Sequence, residues 1–101
     1  DEMDFLCELI HSFLDGAPSA VLAISDAIAR SDASALAFSA HSLKGTVSQF
    51  YCPPVREAAL ALEMMGKRAD LHDAPAALGR LKKLLDGLYS ELRDIQRTRR
   101  I

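Results

Sequence analysis

The stretch AHSLKGTVSQF, residues 40–50, places a histidine, a lysine and a glycine together inside a pattern that predicts a helix. A neutral imidazole such as that of His41 is a competent nucleophile near pH 7, because the unperturbed pKa of histidine is ~6.5. Lys44 stands three residues later, within side-chain reach of whatever His41 binds. Gly45 costs a helix interior roughly 1 kcal/mol relative to alanine, so its presence one turn after a histidine needs a reason.

Other side chains that could do chemistry are fewer and more scattered. Cys7 and His11 are spaced i, i+4 and could share a metal ion, with His72 as a distant third candidate. A structural zinc site requires four ligands. We therefore expect Cys7 and His11 to serve in packing, and His72 to be a solvated residue of a loop. The two cysteines, Cys7 and Cys52, do not make a disulfide framework, and free thiols in a reducing compartment are expected.

Composition limits the classes of function. The formal net charge of −2 gives no global attraction to nucleic acid, and the basic run RTRR at residues 97–100 fits a frayed, solvated helix end. Lys67 and Arg68 suit a helix C-terminus, and a rim contact with an acidic partner is the functional alternative. No apolar run approaches the ~20 residues of a membrane span, and no secretory signal is present, which together predict a cytoplasmic chain without direct membrane insertion.

The elements that must position these residues are predicted to be helices, because alanine and leucine dominate and no alternating strand pattern competes. The run DEMDFLCELIHSFL forms a first helix that DGAP interrupts, and Pro18 can open a second. The spacing predicts an all-α, antiparallel four-helix bundle with an additional N-terminal helix, as one domain over residues 1–101. The four main helices are expected from Pro18 to near Arg30, from a cap at Ser31 or Asp32 to about Phe50, from the YCPPV segment to about Gly66, and from near Pro75 onward.

His41 falls on the outward face of its predicted helix. With ~100° of rotation per residue, it lies roughly 140° and Gly45 roughly 180° from the core stripe. That stripe consists of Leu36, Ala40, Leu43, Val47 and Phe50. Small neighbours leave the imidazole accessible to a large partner, although an ordinary surface histidine fits the same geometry. The sequence pattern places no metal ligand set and no acid–base partner beside His41. Phe38 is either covered by the N-terminal helix or exposed near His41.

Three segments together resemble the histidine-containing phosphotransfer (HPt) domain family: FLDGAP, AHSLKG and the Leu62-Glu63 … Gly66 pattern. The resemblance implies a four-helix bundle in which His41 is the phospho-accepting residue. It also implies that Lys44 neutralises the phosphoryl group and that Gly45 keeps the docking face open. Gln49 stands where the family often has asparagine and can still give polar support, whereas Tyr51-Cys52 replaces a common Gly-Ala.

The implied function is that of a phosphorelay module, which exchanges a phosphoryl group with aspartates of response-regulator receiver domains in a two-component system. The chain has no nucleotide-binding pattern, so we expect no kinase activity and no autonomous catalysis. It needs no cofactor or metal of its own, and Mg²⁺ is expected on the receiver. A hybrid sensor histidine kinase, in the same or another chain and anchored in a membrane, is a further expected partner. The alternatives are an interaction or sequestration module without phosphotransfer, and a metal-binding bundle.

Overall fold

The computed structural model describes residues 2–99, and the side chains of residues 4–98 within them. Four helices follow one another: α1 (Glu2–Ala29), α2 (Ala33–Val47), α3 (Pro53–Arg68) and α4 (Ala74–Arg99). The connections are three to five residues long, so consecutive helices run antiparallel. Helix α1 packs against α2 and α4, and α3 packs against the same two helices. The predicted all-α four-helix bundle is confirmed.

The predicted additional N-terminal helix is wrong, because α1 continues through Gly16 and Pro18 without a break. Proline within a helix costs about 3 kcal/mol, since it lacks a donor and crowds the preceding turn. One core-facing stripe nevertheless extends across it, with Phe13 and Ala17 before the proline and Ile24 after it, all buried. Burial of this stripe on both sides of an exposed proline outweighs the local cost.

The turn between α1 and α2 also explains where α2 begins. Ser31 adopts a left-handed φ of 54°, and the chain closes with hydrogen bonds from Ser31 N to Ile28 O and from Asp32 N to Ala27 O. Asp32 is the N-cap of α2, since its carboxylate accepts a hydrogen bond of 3.0 Å from the backbone N–H of Ala35. Of the two predicted caps, Asp32 is therefore the one used.

Helix α3 does not stop at Gly66 as predicted but continues to Arg68 and turns at Ala69, whose φ is 55°. Gly66 instead marks the closest approach of α3 to α2. A Cβ atom at Gly66 would lie 2.6 Å from the backbone nitrogen of Ala37 and 2.7 Å from the carbonyl oxygen of Ala33. The glycine is needed for helix packing rather than for helix termination.

The core runs along the whole bundle and is almost entirely aliphatic. It includes the predicted stripe of the histidine-bearing helix up to Val47, where α2 ends, and the half-buried Phe50 packs its ring against Phe13 at 5.2 Å between centroids. The largest fully buried apolar side chains come from all four helices: Ile10, Ile24, Leu36, Leu43, Val47, Val55, Leu62, Leu81 and Leu85.

Helix α1 is more apolar than the sequence prediction allowed. The segment Asp4–Ala29 is long and apolar enough to cross a membrane by length and composition, contrary to the expectation that no run approaches that length. Within the bundle, α1 contributes Ile10, Phe13 and Ile24 to the core described above, and 17% of the apolar window is buried.

Candidate functional site

His41 lies near the middle of α2, and its side chain is 66% exposed. Ala40 and Leu43, which are close to His41 in sequence but lie on the other face of α2, are fully buried. The imidazole ring therefore lies on the side of α2 that is turned away from the core. The predicted position and exposure of the imidazole are both observed.

A buried carboxylate lies behind the imidazole. The Glu63 side chain projects from α3 toward α2 and is only 2% exposed. Its Oε2 atom lies 3.1 Å from His41 Nδ1 and also 3.1 Å from Lys67 Nζ. Its Oε1 atom lies 2.7 Å from Lys44 Nζ. One carboxylate of α3 therefore binds the histidine and lysine of α2 together with a lysine of its own helix.

These contacts keep Glu63 ionised. The Lys44 ammonium, in an ion pair 2.7 Å from Oε1, is the main cause that lowers the pKa of the Glu63 carboxyl, from its ordinary 4.5 to about 2. Burial acts in the opposite direction, and the contacts with Lys67 and His41 add to the lowering. At neutral pH the group is a carboxylate and acts only as a hydrogen-bond acceptor.

The ionised carboxylate determines which nitrogen of His41 is available. Because Glu63 can only accept, the Nδ1 atom of His41 must be the donor in their 3.1 Å hydrogen bond. In a neutral imidazole the second nitrogen then carries the lone pair. The lone pair of the neutral ring is therefore on Nε2, and the contact with Glu63 orients the ring.

The surface around the ring is open. Gly45 is exposed, and a Cβ atom placed there would meet nothing within 4 Å. Phe38, one turn before His41, is 75% exposed, so α1 does not cover it. Of the two alternatives for Phe38, the structure shows the exposed one, and an apolar ring stands on the surface beside the imidazole.

The structure brings Lys44 and Gly45 beside His41, but it does not bring Gln49 to the ring. Gln49 follows the end of α2, eight positions from His41, and its side chain makes no hydrogen bond to any described residue. Polar support for the ring comes from Glu63 instead.

Glu63 is the functional residue that the sequence analysis missed, and the expectation that the helix surface offers no acid–base partner is wrong. A signal was present, because Glu63 stands four residues after Ala59 and three before Gly66 on the buried side of α3. A charged residue on a buried stripe needs a partner of opposite charge. Lys67, which the sequence places at a helix end or in a rim contact, also forms an ion pair with this carboxylate.

No comparable cluster supports a metal site. Within residues 2–99, no three His, Cys, Asp or Glu side chains come together as metal ligands. Cys7 and Cys52 are both partly buried free thiols.

Fold and site together define an all-helical module with an exposed histidine on α2 and a buried carboxylate behind its ring. The model of the Hpt domain family matches residues 8–93. The chain belongs to the Hpt domain family and is a module of phosphorelay signalling.

A solved structure shares the fold. The crystal structure of histidine-containing phosphotransfer protein B (HptB) from Pseudomonas aeruginosa PAO1 superposes with a TM-score of 0.85 at 24% sequence identity. The similarity covers 90% of this chain and 80% of that chain. No curated protein sequence matches the chain.

Proposed function

We propose that the chain accepts a phosphoryl group on Nε2 of His41 from the aspartyl phosphate of a receiver domain, and donates it to the aspartate of a receiver domain. The observation that carries the proposal is the exposed imidazole whose Nδ1–H is held by the buried Glu63 carboxylate at 3.1 Å. That contact leaves the lone pair on Nε2 of a ring that is 66% exposed, and so open to the approach of a large partner.

The transfer step follows from this geometry. The lone pair of Nε2 attacks the phosphorus of the aspartyl phosphate, and an N–P bond forms. The P–O bond to the aspartate breaks, and its electron pair leaves with the aspartate carboxylate. The ring keeps its Nδ1 proton and becomes a phosphoimidazolium, whose positive charge faces the Glu63 carboxylate. Donation to a second receiver reverses the same bond changes.

The bundle supplies the acceptor, and the receiver supplies the rest of the chemistry. The surface of α2 has no phosphate-cradling loop, so we expect the receiver to provide Mg²⁺ and to stabilise the charge on the transferred group. The exposed ring of Phe38, one turn from His41, gives such a partner an apolar contact. A receiver that meets His41 in this way belongs to a cytoplasmic two-component system, whether this module is free-standing or part of a hybrid sensor kinase.

The decisive experiment incubates the chain with phosphorylated receiver domains and measures its intact mass. We expect the gain of one phosphoryl group, labile to acid and stable to base, and no gain in His41→Gln. The exposed position of His41 means that this substitution changes stability by only about 0.5 kcal/mol.

Docking without phosphotransfer is the competing function, and the same variant separates the two. A sequestering module binds its receiver equally well with His41→Gln and has the same effect on signalling. A phosphorelay module retains binding in this variant but no longer passes the phosphoryl group on.

A further inference from the structure

Helices α1 and α4 extend well beyond the other two helices at one end of the bundle. They have 28 and 26 residues, whereas α2 and α3 have 15 and 16. The ring of Phe13 contacts Phe50, in the connection between α2 and α3, and also Tyr89 on α4, so these rings mark the level of that connection. The residues of α1 before Phe13 and of α4 after Tyr89 continue past this level as a pair of helices, the two-helix extension. It is roughly 15 Å long at about 1.5 Å per residue.

The core-facing stripes of α1 and α4 continue into the two-helix extension and become exposed there. Ile95 stands seven residues after Leu88 on the same face of α4, and its exposed fraction is 40% against 6% for Leu88. Leu6 stands seven residues before the buried Phe13 on α1 and is only half-buried. The extension is therefore one layer of a four-helix bundle, with an apolar inner face that α2 and α3 are too short to cover.

Phe5 adds the largest exposed apolar side chain to this inner face. It is 63% exposed and lies on the face of α1 that carries Ser12 and Gly16, which border α2 further along the helix. Phe5 thus faces the space into which a longer α2 would run. Although α1 is apolar along its length, only 17% of its apolar window is buried, so the helix has apolar surface left to cover.

We propose that a second copy of this chain covers the inner face, so that the two-helix extensions of two copies form one four-helix bundle around a two-fold axis. Each extension supplies the two helices, of the same length, that the other lacks. The two-fold axis must run perpendicular to the bundle, because a parallel arrangement would make α2 and α3 of the two copies overlap. It places α1 against α1 of the partner subunit, and α4 against α4 of the partner subunit. The proposal does not depend on phosphotransfer.

The directions of the helices favour a second copy as the occupant. In this dimer, α1 of the partner subunit begins where α2 ends and continues in the same direction. Likewise, α4 of the partner subunit ends where α3 begins and runs in the direction of α3. Both junctions therefore align helix dipoles head to tail, with a partly positive helix N-terminus facing a partly negative C-terminus.

The area of the inner face suits a reversible dimer. The face is roughly 15 Å long and about 20 Å wide, since each helix is about 10 Å across. Tyr51, in the connection between α2 and α3, is 97% exposed and adds a contact for the tip of the partner subunit. Two such faces with both tip contacts bury on the order of 1,000 Å² of accessible surface, near the lower limit of specific interfaces. We therefore expect a Kd of roughly 1–100 µM.

The dimer leaves the histidine accessible in both copies. His41 stands six positions before Val47, the last residue of α2, and so roughly 9 Å from the junction with the partner subunit. Its ring lies on the outward side of α2, whereas the partner subunit lies beyond the end of that helix. The dimer therefore presents two separate imidazoles, each able to meet its own protein partner.

Sedimentation velocity of the chain from about 1 µM to about 500 µM, a range that spans the expected Kd, tests the proposal. The weight-average mass should rise from that of one chain toward that of two. Phe5→Glu and Ile95→Glu each place a charge on the inner face, and each change occurs twice in a dimer. Either substitution should raise the Kd at least about 100-fold, while circular dichroism of the monomer stays that of the parent.

Leu22 provides the matched control. It lies on α1 outside the two-helix extension and is 70% exposed, about as much as Phe5. Leu22→Glu therefore adds the same charge to the same helix at a similarly exposed leucine, and the Kd should stay within about twofold of the parent value. A difference between Leu22→Glu and Phe5→Glu separates the inner face from apolar surface in general.

A disulfide tests the symmetry of the dimer. Ile95 lies near the middle of the α4 part of the extension, so the two-fold axis places it close to Ile95 of the partner subunit. In a chain that also carries Cys7→Ser and Cys52→Ser, we expect Ile95→Cys to form a covalent dimer on mild oxidation. Leu22→Cys in the same chain should remain monomeric under reducing-free gel electrophoresis.

Three results would overturn the proposal. The first is a parent chain that sediments as one copy up to about 500 µM. The second is a dimer that Phe5→Glu and Ile95→Glu leave intact, or that Leu22→Glu disrupts equally. The third is a chain that stays monomeric in solution but cosediments with vesicles of phosphatidylcholine and phosphatidylglycerol in a way that Phe5→Glu abolishes, which would assign the inner face to a membrane surface.

Discussion

Gly66 and Gly45 are both glycines inside helices, yet the structure predicts opposite effects when each becomes alanine. At Gly45 the new methyl group meets nothing within 4 Å. Gly45→Ala should therefore show only the gain in helix propensity and stabilise the domain by up to about 1 kcal/mol. At Gly66 the methyl group would collide with the backbone of α2.

The size of the Gly66→Ala effect follows from the contact distances. The added Cβ atom would lie 2.6 Å from Ala37 N and 2.7 Å from Ala33 O, whereas ordinary contact begins at 3.4 Å. Both contacts are backbone atoms, so the two helices must separate. Overpacking of this kind lowers the free energy of unfolding by about 3 kcal/mol at the upper end of its usual range. The better helix propensity of alanine raises it by about 1 kcal/mol. The net loss is about 2 kcal/mol, or roughly 8–16 °C in Tm for a domain of this size.

Denaturant unfolding and thermal melts of the parent and the two alanine variants test this prediction. Glu63 lies three residues before Gly66 on α3, so separation of the helices should also lengthen the 3.1 Å hydrogen bond that His41 Nδ1 donates to Glu63, and slow transfer. A Gly66→Ala variant that melts as high as the parent would show that this glycine does not set the spacing between α2 and α3.

Three further predictions concern access, pH and backbone strain. Gly45→Leu should melt no lower than the parent, because the added side chain meets nothing nearby. It should slow transfer from a receiver on the order of 100-fold, since a displacement of the reacting atoms by about 1 Å can reduce the rate that much. Equal transfer rates for the variant and the parent would place the docking face elsewhere. The pKa of the Glu63 carboxyl falls on folding from 4.5 to about 2, so its contribution to stability is complete above pH 4.5 and is lost as the pH falls toward 2. Unfolding free energies measured across that range should fall more steeply for the parent than for Glu63→Gln, and parallel curves would contradict the pairing. Ala69→Gly should raise the free energy of unfolding by about 1 kcal/mol, because Ala69 has a φ of 55°; chemical denaturation that shows no gain would contradict this.

Helical periodicity made most of the bundle predictable. The stripe of Leu36, Ala40, Leu43 and Val47 fixed the inward face of α2, and from it the outward position of His41 followed. Residues that usually interrupt or end a helix predicted the helix boundaries less well. Pro18 predicted a break where a continuous buried stripe holds α1 together, and Gly66 predicted an end where it allows close packing.

The candidate site was predictable only where it lies on one helix. His41, Lys44 and Gly45 share α2, so their spacing alone placed them together. Glu63 is 22 positions away from His41 in sequence, and its role depends on the close approach of α3 to α2. That approach depends on a glycine and on packing between helices, which a periodicity analysis of single helices does not give.

In the proposed function, Glu63 holds Nδ1 of His41 and leaves Nε2 as the phosphoryl acceptor. The most direct measurement is ¹⁵N- and ³¹P-NMR of the chain after phosphorylation by a receiver, with the histidine ring nitrogens labelled. We expect phosphorus bonded to Nε2 of His41, with the proton of Nδ1 retained in the hydrogen bond to Glu63. Phosphorus on Nδ1, or on any other residue, would contradict it.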